Sequence, residues 1–117
     1  MTTQARISEG PLIGLFGSES AYRVLMYLEN YGQGYASQIA KTFGFSLSQV
    51  QNQLRKFEDI GLLVSRREAT ARVFYFRPSP ITDALRVFLR EMLTRLPPEV
   101  MERYFRERRR PRRFGKN

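Results

Sequence analysis

The chain contains no cysteine and no histidine. Without cysteine there is neither a disulfide nor a thiolate metal site. Without histidine the commonest general base and the commonest metal ligand are gone as well. Carboxylates remain, but the eleven Asp and Glu are scattered. No paired carboxylates, glycine-rich phosphate loop or nucleophile motif stands out. These absences argue against an enzyme, and no cofactor or metal is implied. No run approaches the roughly 18 apolar residues of a membrane span. The opening stretch "MTTQARISEGPLIG" has no apolar segment of signal-peptide length. A soluble, cytoplasmic protein is therefore expected.

The 117 residues, 42% of them hydrophobic, suffice for one domain with a modest core. The net charge of +9 favours a polyanionic partner. Its position matters more than its size. Residues 103–117 hold eight Arg or Lys and one Glu, which leaves residues 1–102 a net of only +2. The excess is a property of the tail. Residues 111–117, beyond Pro111, are expected to be disordered. Such a tail suits DNA phosphates or folded RNA, or serves only for solubility.

Residues 1–17 read as an N-terminal arm whose Leu12, Ile13, Leu15 and Phe16 pack on the domain. Ser18 is a helix N-cap with Glu19 in the first turn, followed by an apolar face of Ala21, Val24, Leu25 and Leu28. This helix stops near Asn30. A short helix over 36–43 buries Ile39, Ala40 and Phe43 and ends in Gly44 as a left-handed residue. Ser46 opens a third helix over about 47–60, in an S-x-x-Q capping box with Gln49. Its apolar stripe is Leu47, Val50, Leu54 and Phe57.

Residues 62–67 and 72–77 are strand-like runs separated by "EATA", a hairpin with a four-residue loop. Ser79-Pro80 starts a fourth helix, with Ile81, Leu85, Phe88, Leu89, Met92 and Leu96 at helical spacing. After Pro97-Pro98, a last segment is helix-compatible through Val100, Met101, Tyr104 and Phe105. The expected fold is mainly α with a small β-hairpin: a domain over 18–77, then a C-terminal helical segment over 78–110.

A short helix, a tight turn and a longer helix make a helix-turn-helix unit, and the basic hairpin that follows is its wing. The stretch "ASQIAKTFGFSLSQVQNQLRKFEDIGLLVSRREATARVFYF" resembles the winged helix-turn-helix of ArsR-like bacterial and archaeal transcriptional regulators. The resemblance rests on Ala40 at the helix crossing, Gly44 in the turn, Val50 and Leu54 as anchors, and "EDIGLL" at 58–63 leading into the wing. It covers about residues 18–77 and implies DNA binding. It does not extend to metal sensing, since that needs Cys and His. More narrowly, "LFGSESAYRVLMYL" and the closing "FYFRPSP" are similar to winged-helix modules found with minimal nucleotidyltransferase domains.

On the third helix, Ser48, Gln51, Asn52, Arg55 and Asp59 point away from the apolar stripe, with Gln49 and Lys56 flanking them and Gln53 beside the stripe. In this class the N-terminal part of the second helix enters the major groove. Gln and Asn amides pair with adenine in a bidentate fashion, and Ser is adaptable. Ser48, Gln49, Gln51 and Asn52 are thus expected to face bases, with Arg55 and Lys56 nearer phosphates. The alternative is an ordinary solvated helix face. Arg66, Arg67 and Arg72, in a wing over 64–73, are placed for contacts to the backbone or the minor groove, or serve only to keep an edge from aggregating. Tyr35 and Gln38 open the short helix, a weaker phosphate site. Glu58 and Asp59 are expected to face solvent.

The fourth helix is broad enough in its apolar face for dimerisation through Leu85, Phe88, Leu89 and Met92, against plain core packing. Together these features predict a dimeric, sequence-specific, double-stranded-DNA-binding transcriptional regulator of a prokaryotic cytoplasm. The rivals are a protein-interaction module, for example a partner of a nucleotidyltransferase, and an RNA-binding protein.

Overall fold

A computed structural model of the chain describes residues 11–106. The expected tail over 111–117 and most of the N-terminal arm lie outside the described residues. A 3-10 helix, Pro11–Phe16, leads into α1 (Glu19–Tyr31). There follow β1 (Gly34–Tyr35), α2 (Ala36–Phe43), α3 (Leu47–Asp59), β2 (Leu63–Glu68), β3 (Ala71–Phe76) and α4 (Pro80–Thr94). A single turn, α5 (Pro98–Val100), runs on into a π-helical turn, Met101–Phe105. The fold is mainly helical with a small three-stranded antiparallel sheet. No helix among the described residues is long and apolar enough to cross a membrane.

Local signals start and stop the helices. The Ser18 hydroxyl accepts from the Ala21 N–H, Ser46 from Gln49, and Ser79 from Thr82. Each satisfies one orphan donor of a first turn. Gly44 stands at φ 77°, the left-handed conformation that ends α2 and turns the chain into α3. The capping box expected at Ser46 is made in one direction, hydroxyl to Gln49 N–H. The reciprocal glutamine bond is found one helix earlier, where Gln38 Oε1 accepts from the Tyr35 N–H at 3.0 Å.

Helix α1 is the centre of the molecule, and residues 20–29 are all buried. Helices α3 and α4, the sheet and the C-terminal turn pack around it in one core. This burial includes two ionic side chains. The Glu29 carboxylate, only 3% exposed, receives Arg86 at 2.7 Å and Arg90 at 2.9 Å, bracing α1 against α4. The Arg23 guanidinium lies over the rings of Tyr22, Phe43 and Tyr104 and bonds Glu19.

The sheet has the order β1-β3-β2, so the hairpin expected from the sequence gains a third strand. Gly34 pairs with Phe74, and Tyr35 with Val73. A glycine is needed here because a Cβ at residue 34 would fall 2.6 Å from Tyr27 Cε1. The hairpin loop is shorter than the expected four residues. Glu68 pairs with Ala71, leaving a two-residue turn of Ala69 and Thr70 with Ala69 at φ 55°. An alanine in that region is strained, because its Cβ crowds the backbone.

Three apolar residues expected inside are on the surface. Leu15 is 65% exposed and Ile81 76%. Leu47, placed at the head of the buried α3 stripe, is 46% exposed. The rest of that stripe, Val50, Leu54 and Phe57, is buried. On α4, Leu89 and Met92 are buried in the chain's own core, and Leu85 and Phe88 are half-buried. The four residues expected at a dimer contact are thus divided between the core and the surface.

Candidate nucleic-acid interface

Buried Val50, Leu54 and Phe57 fix the rotation of α3. Because Cβ directions repeat every 3.6 residues, that rotation turns Ser48, Gln49, Gln51, Asn52, Arg55 and Lys56 outward, and all six are exposed. Gln53 is set apart from the other amides. Its Nε2 donates to Ser20 Oγ at 3.3 Å and to Ser18 Oγ at 3.5 Å, so it ties α3 to the start of α1.

The hairpin stands beside the outward face of α3. Between them, with the start of α2 as a floor, lies a groove of about 460 Å³. Gln51 and Arg55 of α3, Ser37 of α2, and Thr70 and Arg72 of the hairpin line it. Leu47 and Glu58 line it too. Glu58, expected to face solvent, is half-buried. Its carboxylate accepts from the Ser65 hydroxyl at 2.8 Å, and Ser65 in turn accepts from Arg72 at 3.2 Å. This chain of bonds joins α3 to the hairpin and sets the groove's width.

Strand alternation splits the three arginines expected to act together. Arg67 and Arg72 are cross-strand partners, so both point to the face that carries Ser65 and looks toward α3. Arg66 points to the other face. There it bonds Glu68 at 2.7 Å and lies 5.3 Å from the centre of the Tyr75 ring. Tyr35 Oη donates to the same carboxylate at 3.0 Å. Hydrogen bonds from Arg66 and then Tyr35 hold Glu68 below the usual carboxylate range, and the bond to Glu68 raises the Tyr35 phenol. The network roofs Val73, which is fully buried. Arg66 therefore braces the hairpin, and Tyr35 and Gln38, the weaker phosphate candidates, are bonded within the chain.

The C-terminal turn docks close to the α2–α3 connection. Phe105 is 1% exposed. The Tyr104 ring lies 4.9 Å from that of Phe43, and Phe43 lies 5.9 Å from Phe45 in the connection itself. Tyr31 Oη donates to the Tyr104 carbonyl at 2.6 Å, and Asn30 Nδ2 to the Phe105 carbonyl at 3.1 Å. The basic run of the sequence therefore begins from a fixed point near the start of α3.

Sequence reasoning missed Leu47 and Glu58 as groove residues and the docking of Tyr104 and Phe105. For Leu47 one signal was available: it is the first residue of α3, at the margin of the stripe. No protein-family model, curated protein or solved structure matches the chain.

Proposed function

We propose that the chain is a sequence-specific double-stranded-DNA-binding transcriptional regulator of winged helix-turn-helix type. In this reading α2 and α3 are the helix-turn-helix, α3 enters the major groove, and the β2–β3 hairpin is the wing. The observation that carries it is the exposed amide-rich face of α3, with Arg55 and Arg72 on the walls of the adjoining groove. An α-helix is about 10–12 Å across with its side chains and fits a major groove about 12 Å wide. Ser48, Gln49, Gln51 and Asn52 face base edges. Arg55, Lys56, Arg67 and Arg72 lie at the phosphates, and the arginine-rich end adds attraction that carries no sequence information. A second copy of the chain would meet the first through Leu85 and Phe88, with exposed Ile81 beside them on α4.

Selection of binding sites from random duplex DNA, with the full chain and with a chain ending at residue 106, tests this reading. Both proteins are expected to recover the same sequence, the shorter one with weaker affinity at low salt. Asn52→Ala and Gln49→Ala are expected to relax sequence preference and to keep nonspecific affinity. Unchanged preference in both variants would remove α3 as the reading helix. Loss of all duplex affinity on removing the tail would favour a protein-interaction module. Preference for structured RNA over duplex DNA at fixed salt would favour an RNA-binding protein.

A further inference from the structure

We infer that Leu47 is a specificity-determining residue that packs on the C5-methyl group of a thymine, next to a base read by Gln51; the inference rests on the DNA-binding reading above. Most of the α3 apolar stripe is buried, yet its first member is 46% exposed. Leaving a leucine half in water forgoes much of the free energy its burial would release. Its surroundings in the fold do not close over it. It lies on the wall of the groove, four residues and so one turn before Gln51, which places both side chains on one face of α3.

The groove's other residues narrow the class of occupant. Arg55 and Arg72 line it with one carboxylate, Glu58, which is bonded to Ser65, and Arg67 stands opposite Arg72 on the same face of the hairpin, so the balance is positive. Their charge suits a polyanion rather than an apolar peptide. On a polyanionic duplex, the apolar group presented in the major groove is the thymine methyl. An adenine, whose N6 and N7 edge matches a glutamine amide, is its partner or its neighbour. Leu47 and Gln51 together therefore select an A·T-containing step. The three outward amides, Gln49, Gln51 and Asn52, make no apolar contact with that methyl group, and Leu47 supplies it.

The test uses the full chain and the site recovered by selection. Each thymine of that site is replaced in turn by uracil, which removes only the methyl group and keeps the base pair. For the native protein, uracil at one thymine facing α3 is expected to weaken binding about four-fold, the effect of burying one methyl-sized group. Leu47→Ala is expected to bind the native site more weakly and to bind the thymine and uracil forms equally. It keeps a good helix former at an exposed position, and an unchanged melting temperature shows that the fold is kept. A uracil scan that is flat for the native protein, or the same for both proteins, overturns the inference and leaves the DNA-binding reading standing. Selection that returns no preferred sequence overturns the reading itself, and the inference with it.

Discussion

Arg67 and Arg72 stand directly opposite each other across the β2–β3 hairpin, both exposed. Like charges in directly opposed positions destabilise a strand pair. In the DNA-binding reading, the positive charge on that face serves phosphates. Each of Arg67→Ala and Arg72→Ala is expected to make the fall of log affinity with log salt shallower by about one unit, the signature of one lost phosphate contact. The melting temperature of Arg67→Ala at low salt should stay level or rise, because repulsion is relieved; Arg72→Ala also loses its bond to Ser65 and should gain less. Arg66→Ala should behave in the opposite way, with little change in salt dependence and a lower melting temperature. Its guanidinium is bonded to Glu68 on the far face. Equal salt slopes for all three variants would refute the division of the hairpin into a binding face and a bracing face.

The bracing face should also respond to pH. Glu68 has its folded pKa lowered from 4.5 by the hydrogen bonds of Arg66 and Tyr35. A lowered carboxylate contributes stability that is present above its unfolded pKa and is lost as pH falls through the folded value. Tyr35 is raised from 10.0 by the same contact, so its contribution is present below that value and is lost as pH rises through the folded one. The stability gap between the native chain and Glu68→Gln is therefore expected to be full near neutrality and to close below about pH 4. Paired thermal melts at several pH values measure it. A gap that stays constant into the acid range would mean that the carboxylate charge at Glu68 contributes nothing.

Much of this arrangement is legible locally. Ser18, Ser46 and Ser79 announce helix starts because a cap bonds an N–H only three residues away. Gly44 announces the turn because φ 77° suits glycine. The separation of Gln53 from Gln51 and Asn52 follows from helical period alone. What was not legible depends on partners distant in sequence. Strand β1 is two residues long, too short for an alternation pattern, and exists because it pairs with β3. The exposure of Leu47 depends on how far away the hairpin stands. Arg66, Arg67 and Arg72 read as one cluster, and only the register with Arg67 opposite Arg72 shows that two share a face and the third does not. The two-residue turn at Ala69 was missed because alanine carries no signal for positive φ.

The ionic clamp between α1 and α4 offers a test of direction. Glu29 is 3% exposed, whereas Arg86 and Arg90 are 34% and 58% exposed. Removing both arginines strands a buried carboxylate, and removing the carboxylate leaves two cations that can turn to water. The double variant Arg86→Ala, Arg90→Ala is therefore expected to lose about 3 kcal/mol. Glu29→Leu, which fills the same space with apolar atoms, is expected to lose less. Urea unfolding of the two proteins decides it. A larger loss for Glu29→Leu would mean that the attraction within the clamp outweighs the cost of burying Glu29.

The C-terminal turn separates stability from charge. Phe105 is buried to 1% exposure, and Tyr104 closes over Phe43 and the Arg23 guanidinium. Their backbone carbonyls accept from Asn30 and Tyr31. Phe105→Ala is expected to cost about 3–5 kcal/mol, the range for emptying a buried phenylalanine site. A chain ending at residue 106 keeps Phe105 and should melt with the full chain, while losing the basic residues of the tail and with them the steepest part of the salt dependence. A chain ending at residue 97 loses both and should be strongly destabilised. Chemical unfolding and salt titration of duplex binding, run on these three proteins, check the two effects separately. If the chain ending at 106 proved as unstable as Phe105→Ala, the assignment of stability to Phe105 and of charge to residues 107–117 would fail.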